Sequence, residues 1–202
     1  YSWSFGQAFQ QDQEAMQQMV FNMLLALALI FIVMAALFES TLFPISIITS
    51  ILFSFVGVYW FFFITGTDMS IMALIGMLVL MGIVVNNGIV LIDHVNNLRR
   101  RGMARDQAVI QGGRDRLRPI LMTAATTILA MIPLAIGDTR IGGGGPPYYP
   151  MARAIIGGLA FSTVISLVVV PFVYVLLDSL RQWTSTVRQR AFSGAPPART
   201  QP

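Results

Sequence analysis

The chain has 202 residues and a formal net charge of +4, and 55% of its residues are hydrophobic while 11% are charged. A soluble domain of this length usually carries about twice that charged fraction, so the composition predicts a membrane protein. Cysteine is absent and His94 is the single histidine. These counts exclude a disulfide scaffold, a thiolate metal site and a metal cluster built on histidines.

Five apolar segments are long enough to cross roughly 30 Å of hydrocarbon as helices. None of them alternates polar and apolar residues as a membrane barrel strand does. We therefore predict an all-α integral membrane protein, a bundle of five transmembrane helices. The helices are expected at about 16–38, 42–65, 70–97, 119–137 and 153–178. Residues 1–15 are interpreted as a stub outside the membrane, and residues 181–202 as a disordered tail whose last ten residues, 193–202, are rich in Pro, Ala and Ser.

The arginines orient this bundle. All thirteen basic residues are arginine; seven lie between the third and fourth predicted helices and four follow the fifth. The positive-inside rule then places the 3–4 connection and the C-terminus in the cytoplasm, and five crossings put the N-terminus outside. Within the 3–4 connection, the stretch before Pro119 suggests a short surface helix that ends at Gly112 and Gly113.

Two carboxamides, Asn86 and Asn87, stand side by side inside the third apolar segment, and Gly82 lies one turn before Asn86 on the same helix face. The fourth helix is expected to begin at Pro119 and to carry Thr123 on its early turns. Antiparallel packing of these helices would bring Thr123 level with the asparagines, and Arg116 would lie just below.

A structural role is the alternative for these polar residues. Asparagine and threonine often join membrane helices through hydrogen bonds that contribute only about 0.6 kcal/mol. This interpretation is favoured for Asn87, Thr126 and Thr127. Asp93, near the end of the third helix and beside a basic loop, is interpreted as an interfacial anchor.

A ridge of small residues marks the fifth predicted helix, with Ala154, Gly158, Ser162 and Ser166 recurring every four residues. Such a ridge lets a second helix approach closely and indicates helix packing, as Gly82 does on the third helix. The methionines of the third helix suggest a thioether copper site, but methionine that fills gaps in a core is much commoner. No cofactor, metal, catalytic or nucleic-acid site is predicted, and the arginines are interpreted as topology determinants that contact anionic membrane lipids.

Four stretches resemble a known family. They are "ALFES" at 36–40, "GIVVNNGIVLIDHVNNLRRRG" at 82–102, "RLRPILMTAATTILAMIPLA" at 116–135 and "YYPMARAIIGGLAFSTVISLVVVPFVY" at 148–174. In this order and spacing they are similar to the last five transmembrane helices of resistance–nodulation–division (RND) efflux permeases, nearest to the multidrug, AcrB-like branch.

The resemblance implies a secondary active transporter rather than an enzyme. It implies a multi-pass protein of the bacterial inner membrane, with a periplasmic N-terminal stub, that exports drugs or other amphiphiles by proton antiport. Its implied partners are a homotrimer of the permease, a periplasmic adaptor protein and an outer-membrane channel. The N-terminal half of the same permease would supply relay aspartates, and the matching positions here are Asn86, Asn87, Thr123 and Arg116.

One departure from the family leaves alternatives open, because drug-pump relatives commonly have lysine where this chain has Asn86. Either Arg116 supplies the cation, or the partner half carries fewer acids, or the coupling is altered. Two further functions stay open: another RND exporter, for heavy metals, lipids or secretion, and a membrane module that senses or assembles partners without transport.

Overall fold

The computed structural model describes residues 3–38, 42–137, 140 and 145–166. These residues form the helices α1 (Trp3–Phe38), α2 (Leu42–Thr65), α3 (Ile71–Arg100) and α4 (Arg105–Ile136), and the chain is helical again over 149–166, which we call α5. Four described helices are long and apolar enough to cross a membrane. The predicted all-α membrane bundle is confirmed, and the protein is a multi-pass membrane protein.

Helix α3 lies at the centre of the described bundle. Half of its most apolar window is buried, compared with 6% for α1 and 11% for α4. The core is built largely on α3 through Leu80, Val84, Leu91 and neighbouring residues, and the other helices pack around it. The hydroxyl of Ser70 caps α3 by accepting a hydrogen bond from the backbone N–H of Ala73 at 3.3 Å.

Helix α4 begins well before the position expected from the sequence. It runs without interruption from Arg105 through Gly112 and Pro119, so the predicted short surface helix and the fourth transmembrane helix are one element of 32 residues. Pro119 removes only its own backbone donor, which would have met the carbonyl of Asp115, near the charged end of the helix. Water can satisfy that carbonyl, so the helix continues through the proline.

Gly112 is required where α4 crosses α3. A Cβ atom at Gly112 would lie 2.6 Å from Cγ2 of Val95, whereas one at Gly113 would meet nothing within 4 Å. Gly112 therefore marks a close contact between helices, and neither glycine ends the helix. We call the end of the bundle where α3 finishes at Arg100 and α4 starts at Arg105 the arginine-rich end.

Helix α1 extends back to Trp3, so most of the predicted N-terminal stub is helical. The predicted fifth helix coincides with α5 over 153–166, and its remainder, 167–178, lies outside the described residues together with the predicted tail. The predicted orientation of the bundle stays a prediction.

Candidate functional site

Asn86 lies at the midpoint of α3, about 21 Å from either helix end at 1.5 Å per residue. Its side chain is exposed, as is Gly82 one turn away, and no atom lies within 4 Å of a Cβ built on Gly82. Asn87 is half-buried. The centre of the most enclosed helix thus presents an open polar face.

The two carboxamides have no hydrogen-bond partner among the residues that the structure describes. An amide that leaves water without a compensating hydrogen bond costs about 1–3 kcal/mol on scales derived from proteins. Inside a bilayer no water reaches the middle of a lipid-facing helix. Asn86 and Asn87 therefore need partners from another part of the protein.

The threonines of α4 form hydrogen bonds within their own helix. The hydroxyl of Thr123 donates to the carbonyls of Pro119 at 3.1 Å and Ile120 at 3.0 Å. Thr126 and Thr127 likewise donate to carbonyls one turn back. A hydroxyl that donates still has lone pairs with which to accept, so the hydroxyl of Thr123, an exposed residue, can still accept a hydrogen bond.

Arg116 lies two turns from Thr123 toward the arginine-rich end, and it is half-buried. Its Nε is buried and has no hydrogen-bond partner in the described part of the chain. A buried unpaired guanidinium nitrogen is costly. Like the two asparagines, Arg116 has a polar group without a hydrogen-bond partner among the described residues.

A groove of about 830 Å³ opens beside Arg116 between α1, α3 and α4. Leu37, Ile89 and Val90 form apolar parts of its wall, and polar side chains from the last turns of α3, including Asp93 and Asn97, form much of the rest. Nδ2 of Asn97 donates to Oδ2 of Asp93 at 3.1 Å. The groove lies at the arginine-rich end of the bundle.

A hydrogen bond between two side chains joins α3 and α4 near this groove. Nε2 of His94 lies 3.0 Å from Oδ2 of Asp115, and the amide of Gln111 donates to the other carboxylate oxygen at 2.7 Å. Asp115 belongs to the charged first turns of α4, outside the uncharged span that begins at Pro119. The hydrogen bond from His94, aided by that from Gln111, lowers the pKa of Asp115.

Arg153 holds the opposite end of the bundle together. Its Nη1 donates to Oγ1 of Thr67 at 2.8 Å, and its Nε donates to the carbonyl of Ala135 at 3.2 Å. The guanidinium also stacks on the ring of Tyr149 at 4.6 Å. One side chain therefore ties the α2–α3 loop, the end of α4 and the start of α5.

The small-residue ridge of α5 lies against the other helices. Ala154, Gly158 and Ser162 are buried and Ser166 is half-buried. A Cβ at Gly158 would collide with Leu80 of α3, and it would lie 2.8 Å from Cγ2 of Val58 on α2. The structure thus places this ridge in close contact with α2 and α3.

The sequence of residues 1–178 matches the family described as AcrB/AcrD/AcrF. The chain belongs to this family. Its recognition as the membrane portion of an RND permease is confirmed.

Curated relatives of this AcrB/AcrD/AcrF-family chain carry different functional names. The swarming motility protein SwrC of Bacillus subtilis is 41% identical over 160 residues, which is 79% of this chain and 15% of that protein. The cobalt-zinc-cadmium resistance protein CzcA of Cupriavidus metallidurans is 35% identical, and the multidrug resistance protein MdtC of Erwinia tasmaniensis is 34% identical. Each of these two matches covers 86% of this chain and 16% of the relative. The names do not single out the multidrug branch.

A crystal structure of a heavy metal efflux pump is similar in fold, with a TM-score of 0.74 and 27% identity over 85% of this chain and 17% of that one. The AcrB/AcrD/AcrF-family chain thus spans about a sixth of the length of these proteins. The part of these longer proteins that this chain matches is a membrane segment.

The family chain therefore presents Asn86 and Thr123 as exposed polar groups on adjacent antiparallel helices, and Arg116 beside a groove toward one end. No described hydrogen bond joins the three. The sequence did not reveal the contacts of His94 and Arg153, because each joins residues distant along the chain. The only sequence signal for them is a charged residue placed at the end of a predicted span.

Proposed function

We propose that this chain is the membrane segment of a proton-driven RND exporter of the bacterial inner membrane. In this proposal the face around Asn86 and Thr123 packs against the N-terminal half of the same permease. Relay aspartates from that half complete a proton site with Asn86, Asn87, Thr123 and Arg116. The permease works as a homotrimer, with a periplasmic adaptor and an outer-membrane channel.

The observation that carries this proposal is the exposed carboxamide of Asn86, which has no described partner at the midpoint of a membrane helix. A carboxamide can form hydrogen bonds with an acid in both its ionised and its protonated state. Its NH₂ donates to an ionised carboxylate, and its carbonyl accepts from a protonated one. Asn86 can thus contact a relay acid in both protonation states.

Arg116 supplies the charge that asparagine lacks. A guanidinium stays protonated in proteins, and its attraction for a carboxylate ends when that carboxylate binds a proton. Protonation of a relay aspartate then releases α4 from one of its contacts. This gain and loss of an ion pair changes helix packing in step with proton passage.

Export of drugs or other amphiphiles is the leading substrate proposal, and the relative named as a multidrug protein supports it. Heavy metal ions are the second candidate. CzcA and the similar crystal structure, both named for metals, favour them. Vesicles containing the permease, assayed with a fluorescent amphiphile and separately with zinc or cobalt, distinguish the two.

The relay is tested by proton-coupled dye efflux or, if metals prove to be the substrate, metal efflux by the full-length permease. The variants are Asn86→Leu and Thr123→Ala. A hydrogen bond to a charged group contributes about 1.5–3 kcal/mol, so each variant should slow transport about ten- to hundredfold. Transport at the wild-type rate in both would eliminate the relay.

Matched controls exist in the same chain. Thr126 is exposed and donates to carbonyls three and four residues back, as Thr123 does. Asn22 is an exposed asparagine of α1, a different helix from those that carry the proposed relay residues. Thr126→Ala and Asn22→Leu should leave transport within about twofold of wild type, since both lie outside the relay.

A further inference from the structure

The groove at the arginine-rich end continues the polar face of Asn86. Asp93 follows Asn86 by seven residues, two helical turns or about 10 Å along α3. Ile89 and Val90, which lie between them, line the groove. The cavity therefore begins about one turn from the midpoint of the helix and opens near Arg100.

The groove has the volume and the polar groups to hold water. Its volume of about 830 Å³ accommodates on the order of twenty water molecules. Asp93, Asn97 and Arg116 provide the hydrogen-bonding groups that ordered water needs. Water in this groove would connect the neighbourhood of Arg116 with the solvent at the arginine-rich end.

Asp93 is the one carboxylate that lines the groove among the described residues. Its side chain is exposed, and the amide of Asn97 holds one of its oxygens at 3.1 Å. The cations Arg100 and Arg116 line the same groove and repel a mobile proton, whereas Asp93 attracts it. Among the described residues of its wall, a proton crossing the groove therefore meets one carboxylate, that of Asp93.

We propose that the groove is the proton exit to the cytoplasm and that Asp93 is its proton acceptor. This inference rests on the proposed relay and assigns it a release path. A proton leaving the relay acid passes through water in the groove to the carboxylate of Asp93, which becomes a neutral carboxyl. The carboxyl then loses the proton to cytoplasmic water, and Asp93 regains its negative charge.

The test uses the full-length permease in liposomes, with proton uptake driven by a membrane potential at equal pH on both sides. Asp93→Asn should slow both proton uptake and substrate transport about tenfold or more, since it removes a positioned proton acceptor. Formate, a small diffusible acid and base, should restore both rates toward wild type. Equal pH on the two sides keeps formate from dissipating the driving force.

Asp68→Asn is the matched control, because Asp68 is an exposed carboxylate in the loop at the opposite end. It should behave as wild type with and without formate. An unchanged rate for Asp93→Asn would overturn the exit, and so would a slow rate that formate fails to restore. Asn86→Leu in the same assay separates the two proposals. If this variant transports normally, the relay proposal fails. If it transports slowly, the relay proposal stands, and a negative result for Asp93→Asn overturns only the exit proposal.

Discussion

In the proposed relay, Asn86 is a neutral side chain placed beside acids that change charge. Two buried carboxylates without a cation favour the protonated form, because desolvation and mutual repulsion both raise the pKa of an acid. Asparagine donates one hydrogen bond to such an acid but cannot balance its charge. Arg116 lies two turns from Thr123, its Nε has no partner among the described residues, and its guanidinium can supply that positive charge.

Restoring a cation at the midpoint of α3 should therefore change the pH dependence of transport. In Asn86→Lys, the ammonium stabilises the ionised form of the relay acid and so lowers its pKa. The acid then binds protons only at lower pH, so the midpoint of the profile of transport rate against periplasmic pH should move to lower pH. Rates measured over a range of external pH in vesicles give this midpoint.

Asn86→Gln is the control for this shift, since it keeps a carboxamide and adds no charge. Its midpoint should match that of the wild type even if its maximal rate falls. An identical midpoint for the lysine variant would show that position 86 does not sense the relay acid.

Side-chain hydrogen bonds hold helix α4 at both of its ends. Between those ends, no described hydrogen bond joins the threonines of α4 to α3. Arg153 holds the carbonyl of Ala135 at one end, and His94 pairs with Asp115 at the other. Between them, Thr123 forms hydrogen bonds only with its own helix. This arrangement holds α4 at both ends, and the face that carries Thr123 remains exposed.

The close contact between α3 and α4 can be tested by mutation, because the adjacent glycines Gly112 and Gly113 have different surroundings. Alanine at Gly112 would place Cβ 2.6 Å from the stiff side chain of Val95, and overpacking of this kind costs about 1–3 kcal/mol. Alanine at Gly113 meets open space and gains up to about 1 kcal/mol of helix propensity. Thermal unfolding of the purified permease should thus rank Gly113→Ala at or above wild type and Gly112→Ala below it.

Equal loss of stability in both glycine variants would contradict the close crossing and return the pair to the role of a flexible break. The same position shows why the sequence misled on α4. Glycines and a proline next to an apolar run are the usual signals of a helix boundary. Whether a glycine is a break or a contact depends on Val95, which lies seventeen residues away and is visible only in three dimensions.

In the whole molecule, burial is unevenly distributed. Helix α3 is well enclosed, but most of the apolar window of α4 is open and so are Asn86 and Thr123. The apolar spans and the all-α bundle could be predicted from hydropathy, because a membrane helix must be apolar over a fixed length. The groove beside Asp93 and the hydrogen bonds of Arg153 could not be predicted from the sequence, because each depends on how three elements meet.

The open face of α3 leads to a prediction about the complete permease. A spin label attached at position 86 should be shielded from oxygen dissolved in the lipid, because the proposed N-terminal half covers this face. A label at Val33, an exposed apolar residue of α1 with 59% of its surface accessible, should collide with oxygen as a lipid-facing site does. Oxygen collision rates from paramagnetic resonance of the two labelled proteins make the comparison. High rates at both positions would place Asn86 against acyl chains, where a carboxamide has no acid to serve and proton coupling through this face fails.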